Sequence, residues 1–89
     1  MYQIILNNQI YEGKLVEYNK QLVFETAEGE TICDASKIIP GLLPGEYAIK
    51  NYSENLGLYE QLVELQLIQP AHRYVQQQFV TFPICKLNN

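Results

Sequence analysis

The sequence predicts an α+β fold: a four-stranded N-terminal antiparallel meander, open or curled into a partial barrel, then one helix and a C-terminal β-hairpin. Three observations carry this. Apolar and polar residues alternate through residues 1–36, with breaks that look like tight turns at Asn7-Asn8, Asn19-Lys20 and Glu28-Gly29. Apolar residues take a helical spacing only over 54–66. Two further segments, His72 to Gln76 and the apolar Phe79 to Leu87, flank a Gln77-Gln78 pair and read as a last hairpin. The 89 residues suffice for one domain, and 1–89 reads as a single unit.

Each element has a local cause. Asn and Gly tolerate the positive φ that two-residue hairpin loops need, so strands are expected over 2–6, 9–18, 21–27 and 30–35. The implied register pairs Ile5 with Ile10, Leu15 with Phe24, Val16 with Val23 and Phe24 with Cys33. Because paired residues share a face, this register sorts the side chains without a bulge. One face collects Tyr2, Ile4, Leu6, Tyr11, Leu15, Leu22, Phe24, Cys33 and Ala35. The other carries Gln3, Glu12, Lys14, Glu25, Glu30 and Asp34 around Ile5, Ile10, Val16, Val23 and Ile32. A one-residue slip at any turn would scramble this sorting.

The apolar stretch 38–45 contains two Pro-Gly steps, which mark turns, and is expected to pack against the body. Glu46 to Asn51 reads as a short strand with Tyr47 and Ile49 on one side. Ser53 is the expected N-cap of the helix, with Glu54 in its first turn. Leu58, Tyr59, Leu62, Val63 and Leu65 form the stripe that covers a sheet, with Glu60, Gln61 and Glu64 opposite. Pro83 cannot donate a ladder hydrogen bond, which places the last strand at an edge or a bulge.

Composition narrows the function classes. The net charge of −4 argues against gripping nucleic acid by bulk charge. It also opposes single-strand binding by stacking on the tyrosines, because an acidic sheet repels phosphates. No apolar run is long enough to span a bilayer, and a cytoplasmic location is expected. No phosphate-binding glycine motif occurs, and no metal or cofactor is expected. Cys33, Cys85, His72 and Asp34 are the candidates for nucleophilic chemistry, but no local signature assembles them, so no catalytic residue is assigned.

Charge placement is more informative. Residues 1–36 hold six acids and two lysines, whereas 37–89 hold four of each sign. The whole net charge belongs to the meander. Glu12, Glu25, Glu30 and Asp34 around Ile10, Val16 and Val23 form an apolar surface rimmed by one sign of charge, which suits a basic protein partner. A second, smaller patch would join Tyr52 and Ser53 to His72, Arg73 and Tyr74, with Arg73 as anchor. The expected function is a non-catalytic binding or regulatory module. One alternative is an inhibitor of a nucleic-acid enzyme, of the kind mobile elements encode, acting by charge mimicry. A small cysteine-dependent enzyme is another. A short, apolar chain with free strand edges also predicts a homodimer.

Overall fold

The computed structural model describes residues 1–88 and is α+β, with two four-stranded antiparallel sheets. The strands are β1 (Tyr2–Leu6), β2 (Gln9–Tyr18), β3 (Gln21–Glu25), β4 (Thr31–Asp34), β5 (Ser36–Lys37) and β6 (Tyr47–Ile49). A 3₁₀ turn (Ser53–Asn55) and a helix α1 (Leu58–Glu64) follow, then β7 (Arg73–Gln77) and β8 (Val80–Cys85). The first sheet runs β1-β2-β3-β4 and the second β5-β6-β8-β7.

The first two hairpins form as their turn residues dictate. Asn7 and Asn8 have φ of 51° and 64°, and Asn19 and Lys20 have 50° and 67°. Both central residues are left-handed, which matches the twist of the flanking strands. The expected pairs Ile5–Ile10, Leu15–Phe24 and Val16–Val23 are all present. Strand β2 divides its ten residues: those up to Gly13 pair with β1, and those from Lys14 onward pair with β3. At the handover the β3 backbone approaches closely, and a Cβ on Gly13 would overlap the Glu25 carbonyl. Glycine is needed there for space rather than for φ.

The third hairpin differs from expectation. Thr26 donates its N–H to Glu30 O at 2.9 Å and accepts that of Gly29 at 3.0 Å, so the loop has three residues, Ala27 to Gly29. The odd loop would shift the register by one residue. A bulge between Phe24 and Glu25 absorbs the shift, with Glu25 opposite Thr31 and Phe24 opposite Cys33. The two offsets cancel, so the Phe24–Cys33 pair survives although the bulge was not foreseen. The bulge also brings Ile32 against the main core, a correction to its expected place on the outer face.

The chain passes between sheets at Ala35. Ala35 donates its N–H to Leu22 O at 2.8 Å on one side and accepts that of Lys50 at 2.9 Å on the other. The buried Ser36 hydroxyl accepts the Leu22 N–H at 2.7 Å, so the corner leaves no buried donor unpaired. Two clusters result. The larger joins Ile4, Leu6, Leu22, Phe24 and Ala35 to Tyr47, Ile49, Leu58, Leu62, Ile68 and Cys85. The smaller, on the other face of the second sheet, joins Ile39, Ala48, Phe82 and Ile84, with Leu42, Tyr52, Val75 and Val80 against them. Tyr47 and Ile49 thus share a side, and 38–45 packs on the body through Ile39 and Leu42. Both Pro-Gly turns form, with Gly41 and Gly45 at φ of 86° and 82°. Tyr2 is exposed and does not join the expected core.

Three further expectations are corrected. The helix starts at Leu58, because Gly57 at φ 89° breaks the chain between the 3₁₀ turn and α1. Ser53 takes φ 54° inside the 3₁₀ turn, and its side chain caps no N–H. The last hairpin turns at Gln78-Phe79, one residue later than expected, with Gln77 paired to Val80. Strand β8 is central, between β6 and β7. It tolerates Pro83 because pairing with β6 involves only Cys85 and Ile84, and ends before the missing N–H is needed.

Candidate functional site

The outer face of the meander carries the residues expected to bind. Side chains alternate along β1 and β2, so Gln3, Ile5, Ile10, Glu12 and Lys14 share this face through the pairs Gln3–Glu12 and Ile5–Ile10. Ile5 and Ile10 are 56% and 69% exposed, although isoleucine usually lies inside. Glu12, Lys14, Glu30 and Asp34 are exposed as well.

Farther along the same face the structure closes what the sequence left open. Glu25 is buried. The Tyr18 hydroxyl lies 2.9 and 2.8 Å from its two carboxylate oxygens and donates to them. Tyr18 and Glu25 flank the Val16–Val23 pair, so the phenol reaches across those valines. Val23 is buried and Val16 half-buried. Of the seven expected contact residues, Glu25 and Val23 are therefore withdrawn from the surface. The carboxylate beside Tyr18 raises the phenol pKa, chiefly through their hydrogen bond. Ile5, which sequence reasoning held beside this set, becomes central, and its signal was the predicted pair with Ile10.

The second expected patch is redistributed. Glu46 stands at its centre and was not foreseen. Arg73 donates from Nη2 to Glu46 Oε1 at 2.6 Å and from Nε to Oε2 at 3.2 Å. Its Nη2 also donates to Gly41 O at 3.1 Å. His72 Nε2 lies 2.6 Å from Glu46 Oε2, and Leu43 donates its N–H to Oε1 at 2.9 Å. The carboxylate is therefore held well below the ordinary range, first by Arg73, then His72, then the Leu43 amide. Arg73 is a clip that fastens the 38–45 loop to β7, with its fork geometry satisfied by one carboxylate. Tyr52 meets Phe82 edge-on at 5.8 Å over the smaller core. Ser53 is exposed. Tyr74 is exposed, and its pKa is raised chiefly by the neighbouring Tyr59 of α1.

The clipped loop frames a cleft of about 510 Å³ lined by Ile38, Ile39, Leu42, Leu43 and Pro44, with Glu17 and Lys20 at its polar side. Tyr47 donates its hydroxyl to Glu17 there, and burial first, then Glu17, push its pKa up to about 12. Both thiols are free. Burial pushes Cys33 up to about 11, with Asp34 adding to it, and Cys85 up to about 12. Among the described residues, no group of three His, Cys, Asp or Glu side chains could hold a metal ion. No helix among them is long and apolar enough to cross a membrane.

Comparison with known proteins returns no matching family model, no matching curated protein and no matching solved structure.

Proposed function

We propose that the protein is a non-catalytic binding module that engages a basic protein surface through the outer face of the β1–β2 hairpin. The observation that carries this reading is the exposed, cross-strand Ile5–Ile10 pair beside the Gln3–Glu12 pair. Two adjacent branched apolar side chains in water lose hydrophobic stabilisation that a partner would restore. The meander around them holds the entire net charge of the chain, which favours a cationic partner and repels competing acidic ones. Cytoplasmic action is part of the same proposal and accords with two unpaired thiols. Their raised pKa values disfavour the thiolate a cysteine enzyme would need.

The test is titration of the isotopically labelled protein with a basic amphipathic peptide, followed by amide chemical shifts. The expected result is perturbation at Gln3, Ile5, Ile10 and Glu12, with affinity lowered about tenfold or more by Ile10→Ser. Shifts confined to the 38–45 cleft, or none at all, reject the surface. The acid-rich meander also favours charge mimicry against a nucleic-acid enzyme as a second reading. Binding to such an enzyme that fails to weaken between about 0.05 and about 0.5 M salt would exclude it.

A further inference from the structure

Strand edges expose unpaired N–H and C=O groups, and folds blunt them with side chains, bulges or charge. Here the edges are treated unequally. On β1, Gln61 occupies both polar groups of Ile5. At β4 a bulge interrupts the ladder and Asn55 donates to Asp34 O at 2.8 Å. At β5, Gln21 donates to Ser36 O. Strand β7 has none of these protections. It forms one border of the second sheet. Its pairing with β8 through a two-residue loop, Gln77 opposite Val80, turns the N–H and C=O of Tyr74 and Gln76 to the free side. Among the described residues, no side chain or loop bonds to those groups.

Two more observations point to what covers this edge. The segment from Tyr74 to Val80 carries no charge, in a chain whose other half is acidic, so two copies meet here without the repulsion that meander-to-meander contact brings. Phe79, at the tip of the hairpin, is fully exposed.

We infer that a second copy of this chain occupies the β7 edge, with two β7 strands pairing antiparallel about a two-fold axis at Val75. That register places Tyr74 opposite Gln76 of the second copy and Val75 opposite its own equivalent. The four outward groups on each strand then bond across the axis. It also brings the hairpin tip, which carries Phe79, alongside the residues that precede β7 in the second copy, so that its ring is drawn from water. The two sheets join into one of eight strands. Both acidic meanders remain free, so this interface is separate from the surface proposed above for a basic partner.

Sedimentation equilibrium of the full chain from about 1 µM to about 1 mM tests this, because edge-pairing dimers of modest area dissociate in that range. Wild type is expected to dimerise. Gln76→Pro removes an outward N–H and no bond to β8, and Phe79→Lys changes a side chain that contacts solvent alone. Each is expected to raise the dimer dissociation constant about tenfold or more. Val75→Cys is expected to cross-link to its equivalent on mild oxidation. A wild type that stays monomeric throughout overturns the inference. So does a dimer that Phe79→Lys leaves unchanged, whatever Gln76→Pro does to folding, or one that Glu12→Lys disrupts. A dimer without the Val75→Cys cross-link overturns the stated register.

Discussion

The side chain of Gln61 is bonded to both polar groups of the Ile5 backbone, accepting its N–H at 2.6 Å and donating to its carbonyl at 2.7 Å. One glutamine on the helix thus does for β1 what a neighbouring strand would do. It docks α1 on the meander and closes the edge behind the exposed Ile5 side chain. Gln61→Leu hands both exposed groups to water and is expected to cost about 0.5–1.5 kcal/mol, the net worth of a solvent-accessible hydrogen bond. Native-state hydrogen exchange should show the Ile5 amide among the first to lose protection. Unchanged protection there would separate the helix contact from edge closure.

The Glu46 clip makes stability depend on acid. Its folded-state carboxyl titrates below the unfolded value of 4.5. The group therefore stabilises the fold fully above that pH, and the contribution is lost as pH falls toward the folded value. The melting temperature of wild type should exceed that of Glu46→Gln most clearly near about pH 7. The gap should close progressively below 4.5. A gap independent of pH would mean that the carboxylate charge is not what holds the loop.

Gly13 is confined by the backbone of β3. Its Cβ as alanine would meet the Glu25 carbonyl and the Phe24 ring, and a backbone atom cannot swing aside as a flexible side chain does. Gly13→Ala is expected to destabilise the protein by about 1–3 kcal/mol in chemical denaturation. A neutral result would show that the two halves of β2 can part without loss.

Burial sets the chemistry of the thiols. With Cys33 at about 11, only about one molecule in a thousand carries its thiolate near about pH 8. Alkylation of the native protein should be slow there and rise about tenfold per pH unit. Cys85, buried and at about 12, should react more slowly still until the protein unfolds. Native rates matching those of a free cysteine would contradict the half-buried placement of Cys33 and the buried placement of Cys85.

Legibility in the sequence followed the range of the interaction involved. The turns at Asn7-Asn8 and Asn19-Lys20 depend on residues adjacent in the chain, and side-chain alternation then carries the pairing outward from them. The third turn looked right only because two one-residue departures cancelled. Gly57 was the available signal for the shortened helix, since a positive φ is natural to glycine, but the apolar stripe outweighed it. The candidate surface was half legible. Alternation placed Ile5, Ile10 and Glu12 on one face, but it could not show that Tyr18 reaches over two valines to Glu25. Tyr18 and Glu25 were already on the same face in the predicted register, and the length of a tyrosine was the missed clue.

What the sequence by itself determined is local: where the chain reverses, which residues share a strand face, and that the acidic charge gathers in the meander. These follow from backbone sterics and from the two-residue repeat of a strand. Only the tertiary structure decided how the second sheet is ordered, that Glu46 gathers Arg73 and His72 to fasten a loop, and that Gln61 closes the β1 edge at Ile5 while β7 stays open. Those outcomes depend on side chains dozens of positions apart, such as Ile5 and Gln61. Such pairs meet because both sheets and the core between them fix their separation.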